Sequence, residues 1–167
     1  MRCSSTFSLA PMVILAKTRS ARTSTTRAAG WNSPQHTDAT REVPMSTTAQ
    51  DEAVARSVLD PWKAAVDAHE PRQVAALFTE DAIFQGLHPY SVGRQGVADY
   101  YDSQPLGMTA DYRILETRRL AEDLILAYLG VDFSFVDRPT LTVHLSVLVR
   151  RDGGSWLIGH YQVSRLG

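Results

Sequence analysis

The sequence reads as one α+β domain, and three observations carry that reading. Near residue 50 apolar side chains recur at three- and four-residue steps: Val54, Val58, Trp62, then Ala65 or Val66. After Thr109 the period changes to two, most cleanly where Leu141, Val143, Leu145, Val147 and Val149 alternate with Thr142, His144, Ser146 and Leu148. Helices come first and strands follow, which is the α+β order.

Each element has a local reason. Asp51–His69 forms a helix with acidic Asp51 and Glu52 at its start, where negative charge suits the helix dipole. Asp60-Pro61 interrupts it with a cap-and-restart signal, so a bend is expected there. Pro71–Phe78 is a short second helix with proline at its first position, and Ala82–Gln85 is a short strand carried by Ile83 and Phe84. Gly86–Gly93 is a loop. Gly93–Ser103 is a third helix, with Val97, Tyr100 and Tyr101 on its inner side. Thr109–Leu120, Leu124–Val136, Leu141–Arg150 and Ser155–Arg165 are strands, and Asp152-Gly153 is a hairpin turn signal.

Charge narrows the function classes. Residues 1–44 hold six of the 17 basic and two of the 18 acidic side chains, leaving 11 and 16 beyond them, a formal −5. An acidic domain offers no pull on a phosphate backbone, so no nucleic-acid partner is expected. Cys3 is the only cysteine, which excludes an intrachain disulfide. The apolar run Pro11–Ala16 is too short to span a bilayer, so no membrane partner is expected.

Residues 1–50 read as a disordered extension and 51–167 as the domain. The first 44 residues are rich in Ser, Thr, Arg and Ala and show neither period. Three explanations stand open: translation starting at Met45 instead, which is favoured; an organelle transit peptide; or a secretory signal, which Pro11 and Lys17 disfavour. A cytoplasmic protein follows from the first, and an organelle-targeted one from the second.

Three motifs resemble the nuclear transport factor 2-like superfamily, in its SnoaL-like (SgcJ/EcaC-like) branch. They are Leu77-Phe-Thr-Glu-Asp-Ala-Ile-Phe84, Gly93-Arg-Gln-Gly-Val-Ala-Asp-Tyr-Tyr101 and Trp156-Leu-Ile-Gly-His-Tyr-Gln-Val-Ser164. The resemblance covers residues 51–166. It implies a cone in which three N-terminal helices pack on a strongly curved antiparallel sheet around an apolar ligand pocket. It implies a homodimer joined through a sheet face. It leaves open a cofactor-independent isomerase, cyclase or dehydratase and, as the alternative, a non-catalytic dimerisation or association module. Ketosteroid isomerase works through a carboxylate base and a tyrosine oxyanion donor. Matching Val66-Asp67 and Asp81-Ala82 to it puts the base position on Gly86 and the tyrosine on Trp62. Glycine moves no proton, so that mechanism is disfavoured.

A two-residue turn at Asp152-Gly153 would set His144 opposite Tyr161, Ser146 opposite Gly159 and Leu148 opposite Leu157, unless a bulge intervenes. By analogy with the superfamily, the face holding Thr142, His144, Ser146 and Tyr161 is expected inside the cone. His144 with Tyr161 is then the candidate acid–base pair, and a histidine simply hydrogen-bonded in the sheet is the competing reading. Trp62, Phe84, His88, Tyr90 and Ser146 are the candidate pocket residues for a small apolar or aromatic molecule. The opposite face, with Val143, Val147, His160, Gln162 and Ser164, is the candidate dimer surface. The scattered histidines show no metal-ligand spacing, and no phosphate loop or dinucleotide fingerprint appears, so neither metal nor cofactor is expected.

Overall fold

A computed structural model describes residues 47–166. The expectations for residues 1–46, among them the targeting segment and the start at Met45, lie outside the described residues. Helix α1 spans Thr47–Asp67, α2 Pro71–Ala76 and α3 Gly93–Asp102; strands are β1 Phe78–Gln85, β2 Ser91–Val92, β3 Thr109–Ala121, β4 Leu124–Ser134, β5 Leu141–Asp152 and β6 Ser155–Arg165.

The helix α1 begins before Asp51, so residues 47–50 belong to the domain and Asp51 lies beyond the first turn. Asp51 is not a dipole partner. It is buried and accepts hydrogen bonds from Nε and Nη2 of Arg119 on β3. The helix also continues through Pro61, whose exposed ring sits opposite the face that Val58, Leu59, Trp62, Ala65 and Val66 bury. Two contacts clamp α1 to β3: Tyr112 donates to Asp60, and Asp67 accepts the Ala110 amide at 2.8 Å.

Six strands form one curved sheet in the order β2-β1-β6-β5-β4-β3, antiparallel except where β1 runs parallel to β6. The strand β1 is twice the expected length. Thr79-Glu80-Asp81 does not end a helix but continues the strand, with Thr79 fully buried. Arg94 of α3 holds this stretch by donating to the Phe78 carbonyl at 2.6 Å and to Glu80.

The final hairpin differs from expectation in two ways. The turn is Gly153-Gly154, both at positive φ (55° and 89°), the two-residue form that suits strand twist. Asp152 therefore pairs with Ser155, and Arg150 with Leu157. A register shift then falls between Leu148 and Val149, with Gly159 as the extra residue, since Val149 pairs with Ile158 and Leu148 with His160. One added residue reverses every later side chain of β6. Tyr161 now pairs with Val147, and His144 with Ser164.

The interior face is also the reverse of the one expected. Val143, Leu145, Val147 and Val149 are fully buried against the helices, together with Ile125, Ala127, Leu129 and Val131 of β4. An unbroken apolar row is the one that packs the helices, because it removes the most apolar area from water. Thr142, His144, Ser146 and Leu148 lie on the outer face, where His160, Gln162 and Ser164 join them through the bulge.

Candidate functional site

The cone interior is packed with aromatic rings. Trp62, Phe78, Phe84 and Tyr161 are buried to 1% exposure or less. Phe84 stacks on Tyr161 with centroids 4.7 Å apart, and Trp62 meets Tyr161 at 6.1 Å. Three polar groups in this cluster form one relay. An indole only donates, so Trp62 Nε1 donates to the Tyr101 hydroxyl at 3.0 Å. Tyr101 in turn donates to the Tyr161 hydroxyl at 3.2 Å. The relay thus ends with the Tyr161 proton. Burial pushes both phenols well above their ordinary range. At neutral pH they are hydrogen-bond donors, not bases.

Tyr161 and Tyr101 line a small, partly open cavity of about 40 Å³, together with Leu87, Tyr100, Gln104, Phe135 and Leu141. That is room for about one water. The same five residues form the floor of a larger cleft of about 380 Å³ at the cone mouth, whose rim adds His88, Arg138 and Arg165. Gln85 shapes the rim loop by donating to the Gly86 and His88 carbonyls at 2.9 and 2.6 Å, and the His88 ring meets Tyr100 edge-on at 5.5 Å. The arrangement is a mouth of ligand size above a narrow donor-tipped throat. Among the residues lining the throat there is no carboxylate, histidine or lysine.

The expected site residues scatter over this geometry. Trp62 and Phe84 lie inside, behind the throat, and His88 lies on the mouth. Tyr90 does not line the throat or the mouth: it is 67% exposed on the loop between β1 and β2. Ser146 does not line them either, because it sits on the outer sheet face opposite Gln162. His144 and Tyr161 are not a pair. They lie on opposite faces because the Gly159 bulge reverses the later side chains of β6; the later turn only shifts their register by two. His144 instead bonds the Tyr128 hydroxyl through Nδ1 at 2.9 Å. His160, Gln162 and Ser164 lie on the open sheet face. Tyr101, Gln104, Phe135, Leu141, Arg138 and Arg165 were not anticipated as site residues. The two-residue spacing of Tyr161, Val163 and Arg165 is the signal that could have found the last of them.

Gly86, matched by sequence to the isomerase base, is filled by its neighbour. A Cβ there would meet the Tyr100 ring at 2.5 Å. Among the described residues no group of three or more His, Cys, Asp or Glu is placed to hold a metal. None of the described helices is long and apolar enough to cross a membrane.

A helix-backed curved sheet narrowing to a mouth is a cone architecture, and solved structures share it. A ketosteroid isomerase-like protein from Erwinia carotovora atroseptica superposes with a TM-score of 0.61 at 21% identity, covering 69% of this chain and 95% of its own. A calcium/calmodulin-dependent protein kinase II association domain from Xanthomonas campestris gives 0.62 at 20% identity, covering 74% and 91%. An NTF-2-like protein of unknown function from Shewanella oneidensis gives 0.59 at 16% identity, covering 70% and 98%. Neither a family model nor a curated sequence matches the chain. The chain has the nuclear transport factor 2-like fold.

Proposed function

We propose that this domain binds a small apolar or aromatic molecule in the mouth cleft, with the Tyr161 hydroxyl as the donor that meets an acceptor atom of the ligand. The observation that carries this is the chain of hydrogen bonds from Trp62 to Tyr101 to Tyr161, which leaves the Tyr161 hydroxyl hydrogen to be donated at the end of the throat. A buried hydroxyl that lacks an acceptor is costly, which favours a partner arriving from the cleft. The cleft is within the size range of ligand sites. Binding is the better-supported reading and turnover the weaker one, because the throat supplies a donor and no base. An isomerase, cyclase or dehydratase activity would need a base brought by the ligand or by His88 on the rim.

The test compares 2-acetylnaphthalene with 2-ethylnaphthalene, which lacks the acceptor oxygen. Calorimetry should show the ketone binding about fivefold to tenfold tighter, as one neutral hydrogen bond gives. Tyr161→Phe should abolish that difference. If neither compound binds, the reading fails.

A second reading, an association module that forms a homodimer, rests on the outer sheet face. No described element covers it, and it exposes Ile83 and Tyr128 at 47% and 37% beside His160, Gln162 and Ser164. Sedimentation velocity of the wild type and of His160→Asp with Gln162→Asp tests it, a monomeric wild type being the adverse result.

A further inference from the structure

We propose that the ligand of the mouth cleft is an anion, an apolar body carrying a carboxylate that sits between Arg165 and Arg138. This rests on the binding function proposed above and names the class of ligand. The strand β6 supplies the first argument. Successive alternate residues share one face of a strand, so Tyr161, Val163 and Arg165 run in one line from throat to rim. Tyr161 and Val163 line the throat, and Arg165 lines the mouth. Four residues of strand span roughly 13 Å. The line therefore offers a donor at the inner end, an apolar wall between and a guanidinium at the outer end.

Charge supplies the second. Arg138, Arg165 and His88 rim the cleft, and no carboxylate lines it. This is a cationic mouth on a domain whose formal charge beyond residue 44 is −5. Arg165 takes part in no ion pair among the described residues. Arg138 is held over the Phe135 ring at 5.1 Å and donates from Nε and Nη2 to the neighbouring Asp137 carboxylate, at 3.1 and 3.4 Å. Those contacts fix its orientation and leave Nη1 without a partner among the described residues. A planar guanidinium matches a carboxylate with two parallel hydrogen bonds, which a neutral amide does not reproduce. Phe135, Leu141 and Tyr100 form the apolar surface on which the ligand body would lie.

The experiment titrates the full chain with 2-naphthoate and with 2-naphthamide, which match in shape and differ in charge. At low ionic strength the carboxylate should bind roughly tenfold tighter, and the ratio should shrink in 0.5 M salt because the arginines are exposed. Replacing both Arg138→Gln and Arg165→Gln should bring the two affinities together. The control Arg151→Gln removes a positive charge at the far end of the β5–β6 hairpin and should keep the preference. If the amide binds as well as the carboxylate, the anion assignment is overturned while the cleft remains a ligand site. A preference that survives the double substitution overturns it as well. Binding of neither probe overturns this inference; failure of the neutral 2-acetylnaphthalene to bind marks failure of the cleft itself.

Discussion

Gly86 and Tyr100 occupy one space: a methyl group on Gly86 would stand 2.5 Å from the Tyr100 ring. The ring is free to lie there only because position 86 lacks a side chain. It packs at 4.9 Å on Phe84 and its hydroxyl accepts the Leu87 amide at 3.3 Å, so it forms the partition between throat and mouth.

Gly86→Ala should therefore move Tyr100 and widen the throat. We expect a loss of about 1–3 kcal/mol, as for overpacking elsewhere. A Gly86→Ala, Tyr100→Leu double variant should recover part of that loss, because the clash has gone. Urea denaturation of the four members of this cycle measures the coupling, and strict additivity would refute the shared-space argument.

Alkaline pH should unfold the domain through its buried phenols. Burial raises Tyr101 and Tyr161 far above the ordinary value of 10.0. Above about pH 10 the unfolded chain releases these protons and the folded chain keeps them, so stability is full below that pH and falls as pH rises. In a 295 nm absorbance titration both should ionise only together with loss of the fold. In Tyr161→Phe the slope of stability against pH above 10 should lessen by one proton.

The Asp51–Arg119 pair should be worth more than the surface ion pairs. The Asp51 side chain is 5% exposed and that of Arg119 31%. Asp51→Ala leaves the guanidinium without its counter-charge, and we expect a cost of about 1–2 kcal/mol, less than for a fully buried pair because Arg119 reaches solvent. Asp51→Leu combined with Arg119→Met should be less destabilised than either single change. Chemical denaturation reads the order.

Acid should act partly through Asp81. Hydrogen bonds from Thr79, then from Arg150, hold its carboxyl below the usual carboxylate range. With the folded value depressed, its contribution is present above about pH 4 and is lost as pH falls through the folded value. Thr79→Ala should raise the Asp81 pKa in an NMR titration; an unchanged value would show that Thr79 contributes nothing.

Much of the fold was legible because it depends on periodicity. Helix α3 and strands β3 to β6 fall within a few residues of expectation, since alternation and turn residues mark them directly. What could not be read was parity. The pattern from Leu141 to Val149 shows two faces, and analogy assigned the core to the wrong one, although its more apolar row was the better guide. In β6 the residue that reverses the faces is a glycine in an unremarkable setting, Ile158-Gly159-His160, and no side-chain pattern announces a bulge. That single residue parts Tyr161, which is inside the cone as expected, from His144 and Ser146, which face out. The Arg119 partner of Asp51 was hidden for another reason: 68 residues separate the two, and only the packed sheet joins them.

The place of β6 in the sheet reaches into how the protein is made. It stands between β1 and β5, so β1 has only the two-residue β2 beside it until residues 155–165 arrive. Until they pair, β1 and β5 share no strand, and Phe78 and Phe84 of β1 lack the Tyr161 ring on which they pack. Closing the sheet therefore depends on the distant pairing of Phe84 with Tyr161, a non-local contact of the kind that forms slowly.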